Sequence, residues 1–560
     1  MRPEKGGTGG RGVLTAIGVV LTATAITAVG GRARAVPTPD TQPSSSAPPD
    51  VSSTPAPSAA ADAPAPPTDP AAPTEPEMRS TSDRAVAYTL SAELFPETHT
   101  VRGSGSISWR NTARVATDRL YVHLYLNAFK NERTAFWRVP VSGFRGDPLN
   151  SPGRIEVDRF FVREFDRDLW QKDAHTPGDP DDATDIEIVL PRPVEPGESL
   201  TVDMSWTSHL PTVTIRTGYL GSFHMVAQWF PKLARLEPDG TWAHFPFHRM
   251  SEFYADYGTY DVTVSAPSSF VVGAVGSLAS QITAPPSQVA PAPTAAPSAT
   301  ESASAPPETP KSTQEAPLNT VRRFTATDVH DFAFSAWDKF QTLEDKTANG
   351  VKIICLYPPG YDEAARIEID AVKFGLGYMG AAFGVYPYNT LTIVHPPNGA
   401  EEAGGMEYPT LITTGGSWRT SGIIQTRERV ILTLHELAHQ WFYGLVGSNE
   451  HRFPFLDEGL TSYAEMEACE AKWPDASAAE LFGLRVGMPA IYRAGALESA
   501  QNARVSDGAA ICGRSRLRLP CVLTFRRHHA YSRQRFRSRS RAPRCWKIRP
   551  SLPIFTPHRR

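Results

Sequence analysis

Residues 431–442 read "ILTLHELAHQWF", and this stretch decides how the chain is interpreted. Residues 427–443 contain no glycine or proline, so we expect a helix that carries His435 and His439 on one face, about one turn apart. Two imidazoles at this spacing can bind one zinc ion, and Glu436 beside them can take a proton from water on the metal. The stretch therefore predicts a zinc site that can activate water.

A third metal ligand is needed, because a catalytic zinc ion takes three protein ligands and keeps one position open. Glu458 follows His439 after eighteen intervening residues, at the start of the next predicted helix. Gly447 and Pro454 allow the chain to turn between the two helices, so this carboxylate can point back at the histidines. We therefore expect one zinc ion per chain, held by His435, His439 and Glu458.

Upstream of the histidines, residues 401–414 read "EEAGGMEYPTLITT" and contain a second candidate element. Gly404 and Gly405 have no Cβ, which lets a backbone approach a strand edge closely, as when an extended peptide binds by β-addition. Met406 and Glu407 follow, and the Glu407 carboxylate at the end of that edge can pair with an α-ammonium group. A solvated glycine loop is the alternative interpretation of this motif by itself.

The rest of the chain predicts a multidomain protein. Residues 82–350 show short alternating segments broken by Gly, Pro and Asp, typical of an N-terminal antiparallel β domain, with a disordered Pro-rich insertion at 284–317. From 351 to 507 the pattern becomes α/β and mainly helical, with predicted strands at "VKIICLY" and "NTLTIVHPP". The predicted helices of this second domain are 363–383, 426–444 and 457–472.

Together these motifs resemble those of the aminopeptidase N and leukotriene hydrolase family of zinc metallopeptidases. That family carries H-E-x-x-H, eighteen intervening residues and Glu, preceded by G-x-M-E-N. The first two elements match in full, and the third has Tyr408 in place of Asn. Segments such as "AQWFPKLA" and "EFYADYGTYDVTVSAP" are similar to the β domain of bacterial members, so the resemblance covers about residues 84–508. Thermolysin-like endopeptidases lack the G-x-M-E strand, which favours an exopeptidase.

The resemblance implies a thermolysin-like catalytic domain at 351–507 and a zinc-dependent aminopeptidase acting on peptides with a free N-terminus. The N-terminal peptide bond would be hydrolysed by metal-activated water, with Glu436 as general base or acid. The strand Gly404–Glu407 would bind the substrate, and Glu407 would recognise its α-amine. Gln228, in "AQWFPK", matches a β-domain side chain that helps to bind the same amine.

The C-terminal part departs from the family pattern. The family uses a tyrosine about sixty residues beyond the third ligand to stabilise the oxyanion. The corresponding region here, "CGRSRLRLPCVLTF", has none, and Tyr531 lies in a different context. Residues 508–560 hold 14 Arg, one Lys and no Asp or Glu. We expect an anomalous, disordered tail produced by loss of the reading frame near residues 508–512, with the family's C-terminal helical domain missing.

Charge and the N-terminus indicate partners and compartment. With 56 basic and 59 acidic side chains, a net charge of −3, the chain is not expected to bind nucleic acid.

Basic residues precede an almost uncharged run, 13–30, and residues 33–35 ("ARA") offer a cleavage site, so we expect a signal peptide at 1–35. An uncleaved anchor is the alternative. Residues 36–81 then form a Pro/Ala/Ser-rich linker. The protein is predicted to be secreted or cell-surface associated, without a stable membrane span once the signal is cleaved.

Two other functions stay open at this point. A catalytically impaired, truncated peptidase-like surface protein would keep the fold and bind zinc without turnover. A zinc hydrolase with a non-peptide substrate would not require a free α-amine. The side-chain preference and the oligomeric state do not follow from the sequence.

Overall fold

The structure is a computed structural model that describes residues 85–138, 149–249, 252–284, 318–415, 425–481 and 484–493. The predicted signal peptide, the linker, all but the first residue of the insertion 284–317 and the tail 508–560 lie outside these residues. Within the described ranges, no helix combines the length and the apolar character that a membrane span requires.

The N-terminal part, residues 85–337, is built from β-strands in which buried and more exposed residues alternate. In the first strand Val86, Tyr88 and Leu90 are buried, so one face packs into the core. The strands are β1 (Val86–Phe95), β2 (Thr100–Arg110), β3 (Thr117–His123), β4 (Arg154–Val162), β5 (Arg167–Asp168), β6 (Ala174–His175), β7 (Asp185–Val194), β8 (Ser199–His209), β9 (Gly218–Leu220), β10 (Phe223–Val226), β11 (Lys232–Leu233), β12 (Arg235–Leu236), β13 (Trp242–Ala243), β14 (Gly258–Pro267), β15 (Val271–Ala274), β16 (Ser277–Ala284), β17 (Asn319–Val329) and β18 (Phe334–Trp337). Short helices are α1 (Ala135–Arg138), α2 (Trp170–Asp173) and the 3-10 turns Tyr125–Phe129 and Arg163–Phe165.

Eight of these strands form one sheet in the order β16-β17-β14-β1-β2-β8-β4-β5. Two four-stranded sheets, β15-β18-β10-β9 and β11-β3-β7-β6, and the hairpin β12-β13 complete this part. All pairs are antiparallel except β1 and β14, which run parallel with Val86 opposite Gly258. The predicted antiparallel domain is wrong at this pair, because between the two strands the chain forms the sheet β11-β3-β7-β6 and the strands β9 and β10 of the other sheet, and returns by a crossover.

The following part, residues 341–493, combines a mixed sheet with three longer helices. Its strands are β19 (Gln341–Lys346), β20 (Lys352–Tyr357), β21 (Thr390–Val394), β22 (Leu411–Thr413), β23 (Gln425–Thr426), β24 (Ala479–Leu481) and β25 (Leu484–Val486). Its helices are α3 (Asp362–Phe383), α4 (Glu428–Ala438) and α5 (Leu460–Lys472), with a 3-10 turn at Glu401–Ala403 and a single π-helical turn at Phe455–Gly459. The main sheet has the order β19-β20-β21-β22, with β19 antiparallel to β20 and the other pairs parallel.

The predicted helices agree with the structure in position but differ in extent. The helix expected over 426–444 ends at Ala438, where the amides of Gln440 and Trp441 change to i→i−3 bonds of 3.0 Å, and the chain then turns away at Tyr443, which has a φ of 124°. The main sheet also begins at Gln341, upstream of the predicted domain boundary at 351. Close packing of α3 on α4 depends on Gly375, where a Cβ would lie 2.4 Å from the Leu437 side chain.

An ion pair is buried in the core of the β-rich part. The Lys232 ammonium lies 2.6 Å from Asp331 Oδ1, and the two side chains are 2% and 1% exposed. The Asp331 carboxylate also accepts hydrogen bonds from Gln228 and from the Phe332 amide. Because both charges are removed from water, the loss of either partner leaves an uncompensated charge in the core.

We predict that Lys232→Met lowers the free energy of unfolding by about 3 kcal/mol or more, since it leaves Asp331 without its cation. The matched control is Lys352→Met, which breaks an exposed pair with Glu344 whose side chains are 51% and 52% exposed. That change should cost less than about 0.5 kcal/mol. Urea denaturation followed by tryptophan fluorescence measures both values, and equal losses for the two variants would contradict the prediction.

Candidate metal centre

The two histidines of the 431–442 stretch lie at the C-terminal end of α4. His435 is in the last turn of the helix, and His439 follows it in a helical conformation with φ −59° and ψ −19°. Their Nε2 atoms face each other at 3.3 Å. The structure thus brings both imidazoles to one point, as their spacing in the sequence requires.

Glu458 reaches the same point from the π-helical turn that precedes α5. Its Oε2 atom lies 3.2 Å from His435 Nε2 and 3.8 Å from His439 Nε2. Around a tetrahedral zinc ion with bonds of about 2.0–2.1 Å, neighbouring ligand atoms are about 3.3 Å apart. The three observed separations of 3.2, 3.3 and 3.8 Å are close to this spacing. This donor set therefore fits a zinc ion.

Two further carboxylates contact the outer nitrogens of the imidazoles. Glu465 Oε2 lies 2.9 Å from His435 Nδ1, and Asp457 Oδ1 lies 2.6 Å from His439 Nδ1. A carboxylate at one ring nitrogen holds the proton there and turns the lone pair of the other nitrogen toward a metal. The sequence analysis missed both residues. Glu465 has a signal, since it follows Glu458 by seven residues on the same helical face, whereas Asp457 has none.

Glu407, His439 and Asp457 form a second group whose possible ligand atoms lie within 4.8 Å of one another. The Phe442 carbonyl, 3.2 Å from His439 Nδ1, is a hydrogen-bond partner of that nitrogen, and Asp457 faces the same atom as a charged neighbour. The 2.6 Å separation of Asp457 and His439 is shorter than the spacing of about 3.3 Å between two ligands of one zinc ion. Asp457 therefore orients His439, and Glu407 is a neighbour of the centre rather than one of its ligands.

Negative charge dominates the surroundings of the histidines. Burial disfavours a charged imidazole, yet the carboxylates of Glu458 and Glu465 raise the pKa of His435 well above its usual value. Burial also opposes the charged form of Glu458, but the hydrogen bond to His435 and the nearby His439 outweigh it and lower the pKa of that carboxyl. The centre thus favours positive charge, which a divalent cation supplies.

Glu436 is buried beside these residues. Its Oε2 atom has no hydrogen-bond partner among the described residues. Its Oε1 atom faces Gly405, where an added Cβ would lie 3.8 Å away. Burial raises the pKa of Glu436 to about 7. A carboxyl group with this pKa can accept and release a proton near neutral pH.

The segment Gly404–Glu407 extends the main sheet beyond its edge strand β22. Met406 and Thr413 form an antiparallel bridge, and the Gly405 amide donates to the Thr413 carbonyl at 2.9 Å. At Gly404 a Cβ would lie 2.3 Å from a backbone oxygen, and Gly405 has a φ of +70°. Both positions therefore require glycine. The role of this segment in peptide binding stays a prediction.

The Glu407 side chain lies next to the candidate ligands. The residue is 1% exposed, and its Oε1 atom has no hydrogen-bond partner in the described part of the chain. Burial raises the pKa of Glu407 well above its usual value, although the charges of His439 and Arg216 oppose this effect. A bound cationic group can supply the hydrogen-bond donor that this buried carboxylate oxygen lacks.

Gln228 has a different environment. Its Nε2 donates to Asp331 Oδ2 at 2.7 Å, and its Oε1 accepts from Lys232 Nζ at 3.2 Å. Both ends of the amide therefore contact the buried ion pair of the β-rich part. The predicted contact of Gln228 with a substrate amine stays a prediction.

A model of the peptidase family M1 domain matches residues 368–507. This range includes the three candidate ligands, Glu436 and the segment Gly404–Glu407. The match identifies a peptidase family M1 domain in this quarter of the chain. The predicted resemblance to zinc peptidases is thereby confirmed at the level of the family. M1 peptidases are generally zinc-dependent, and this chain has a group of residues that could hold a metal ion.

The chain is also similar to several aminopeptidases over part of its length. Aminopeptidase 2 of Candida albicans is 31% identical over 127 residues, which are 21% of this chain and 13% of that protein. Aminopeptidase M1-B of Oryza sativa subsp. japonica is 29% identical over 146 residues, 24% of this chain and 16% of that protein. Endoplasmic reticulum aminopeptidase 2 of Homo sapiens is 28% identical over 146 residues, 24% of this chain and 15% of that protein. The matches thus span a small part of the length of these relatives.

We predict that Glu465→Gln lowers the zinc affinity of the protein about 10- to 100-fold, because the amide holds the His435 imidazole less firmly than the carboxylate does. Competition with a chromogenic chelator measures the affinity. Glu467→Gln, two residues further along α5, is the matched control and should leave the affinity unchanged. The same affinity in wild type and Glu465→Gln would contradict an orienting role.

Proposed function

We propose that the protein is a zinc-dependent aminopeptidase that removes the N-terminal residue of peptides. The observation that carries this proposal is the buried Glu407 carboxylate, which has one oxygen without a donor and lies within 4.8 Å of the metal-site histidine His439. An α-ammonium bound there would hold the N-terminal peptide bond beside the metal centre. Family membership and the named aminopeptidase relatives support the same function.

In this proposal His435, His439 and Glu458 hold one zinc ion. When bound, zinc supplies a Lewis acid that polarises a carbonyl group and lowers the pKa of water. Glu465 at His435 Nδ1, and the Phe442 carbonyl with Asp457 at His439 Nδ1, would keep the protons of the two imidazoles on the outer nitrogens. The inner nitrogens then face the ion as neutral ligands.

Glu436 moves the proton in the proposed reaction. Its buried oxygen without a partner would accept a proton from the attacking water, and its pKa of about 7, raised by burial, lets it pass that proton on to the leaving amine. Gly405 borders this carboxylate, since a Cβ at that position would be in van der Waals contact with Glu436 Oε1.

Glu407 limits the reaction to the end of a peptide. One ammonium group would complete the hydrogen bonding of its free oxygen, whereas an N-acetylated substrate offers only a neutral amide. The segment Gly404–Glu407, bridged to Thr413, would pair with the extended substrate backbone. Together these contacts position one residue on the N-terminal side of the cleaved bond.

We predict that the purified, zinc-loaded protein hydrolyses amino-acid arylamides and that N-acetylation of the same substrates abolishes turnover. Glu436→Gln should bind zinc but lower kcat by about 100-fold or more, because the proton acceptor is lost. Release of the arylamine and zinc content by mass spectrometry are the two readouts.

Each other result points to a different function. Zinc bound in full without turnover of any arylamide would indicate an impaired, peptidase-like binding protein. Equal turnover of free and N-acetylated substrates would indicate a hydrolase that does not use the amine, and Glu407 would lose its proposed role.

We also propose that the protein is exported, on the strength of the basic N-terminus, the uncharged run that follows and the "ARA" sequence at residues 33–35. Sequencing of the N-terminus of the protein recovered outside the cell should begin at Val36. Recovery of the intact N-terminus in the membrane fraction would indicate an uncleaved anchor.

A further inference from the structure

A strained turn of the β-rich part lies against the loop that carries Glu407. Thr214 and Thr217 pair across this turn, and the two residues between them, Ile215 and Arg216, have φ values of 34° and 70°. A turn with two positive φ values ordinarily contains Asn-Gly, and a β-branched residue in this region is an outlier. Such strain persists only where the surrounding structure holds it, and it is common at functional sites.

The backbone of Arg216 contacts the Glu407 loop on both sides of the glycines. Its amide donates to the Glu402 carbonyl at 2.6 Å. Its carbonyl accepts a hydrogen bond from the Tyr408 hydroxyl at 3.3 Å. The segment Gly404–Glu407 lies between these two contacts, so the position of the turn fixes the position of the segment.

The Arg216 side chain is engaged by a second carboxylate. Its two terminal nitrogens bind the two oxygens of Glu252, one of them at 3.0 Å, and the two side chains are 7% and 8% exposed. This bidentate geometry occupies the fork of the guanidinium. The positive charge nevertheless acts on Glu407, whose pKa it lowers against the larger effect of burial.

The three side chains Arg216, Glu252 and Glu407 form a buried group with one positive and two negative charges when all are ionised. Because Glu252 takes the guanidinium, Glu407 keeps the oxygen without a partner. One further positive charge would balance the group. An α-ammonium carries that charge and donates hydrogen bonds.

We propose that Arg216 and Glu252 are positioning residues for amine recognition: the Arg216 turn fixes the Glu407 loop, and Glu252 holds the guanidinium so that Glu407 stays free for the α-ammonium of the substrate. This inference rests on the proposed aminopeptidase function and deepens it. It assigns the selection of a free N-terminus to a pair of side chains outside the M1 match.

The test is Glu252→Gln in the full chain. The amide no longer neutralises Arg216, so the guanidinium pairs with Glu407, the other buried carboxylate whose charge acts on it, and takes the place of the substrate amine. The probe is the amino alcohol that corresponds to the amino-acid arylamide hydrolysed fastest by the wild type. We expect its Kd to rise about tenfold to a hundredfold, the effect of losing one hydrogen bond to a charged group. The Kd of the N-acetylated amino alcohol should not change. Titration calorimetry measures both.

The double variant Arg216→Met/Glu252→Gln separates positioning from structural support. Methionine keeps the length of the stem but removes the competing charge, so amine affinity should return to within about threefold of wild type. In the arylamide assay, Glu252→Gln should raise KM and leave kcat nearly unchanged. Asp261→Asn is the matched control, because it breaks an exposed bidentate pair with Arg323 in the large sheet. It should change neither probe.

The outcomes distinguish this inference from the proposed function. If wild type binds the two probes equally, the aminopeptidase proposal fails and the inference falls with it. If wild type prefers the free amine, three results overturn the inference alone: unchanged binding in Glu252→Gln, equal weakening of both probes, or a double variant as weak as the single one. Zinc content and melting temperature of every variant identify misfolding, and Tyr408→Phe, which removes one of the two loop contacts, should then weaken amine binding without changing zinc content.

Discussion

Three electron-rich atoms, the Nε2 atoms of His435 and His439 and Oε2 of Glu458, lie within 3.2 to 3.8 Å of one another, and much of the surrounding structure serves to keep them there. Lone pairs at this distance repel unless a cation lies between them, so the site must be rigid before the ion arrives. Close packing of α3 on α4 at Gly375 and the π-helical turn before α5 supply that rigidity. π-Helical turns are often found at functional sites. Such a turn shifts a side chain away from the position that it would have in a regular α-helix.

The parts of the site that the sequence predicts are those set by local geometry. His435 and His439 share a helix, so their relative position follows from the 3.6-residue period alone. The position of Glu458 is harder to predict, because it depends on the turn between two helices. Only the spacing typical of the family indicates it. Asp457 could not have been predicted. In a regular helix, adjacent residues point about 100° apart, whereas the π-helical turn lets Asp457 contact His439 Nδ1 while Glu458 faces the Nε2 atoms.

The fold likewise has features that local sequence predicts and features that depend on distant parts of the chain. Alternation along the strands predicts the β-rich part, because burial of one face is a local property of a strand. The parallel pairing of β1 with β14 is not local, since it depends on how the chain returns after forming one other four-stranded sheet and two strands of a second. The environment of Gln228 is equally non-local. Its amide contacts Lys232 in the same segment, but it also contacts Asp331, which follows β17 far along the chain.

A comparison of the buried carboxylates explains how one acidic site can perform several tasks. Asp457 and Glu465 each face an imidazole nitrogen at 2.6 and 2.9 Å, so their charge is committed to holding a ring in place. Glu407 and Glu436 each keep a buried oxygen without a donor in the described structure. Burial of an ionised carboxylate oxygen without a donor raises the free energy of the folded protein. Binding of a proton or an ammonium group lowers that free energy. Orientation is therefore assigned to the two carboxylates that lie at the outer imidazole nitrogens, and proton transfer and amine binding to Glu436 and Glu407.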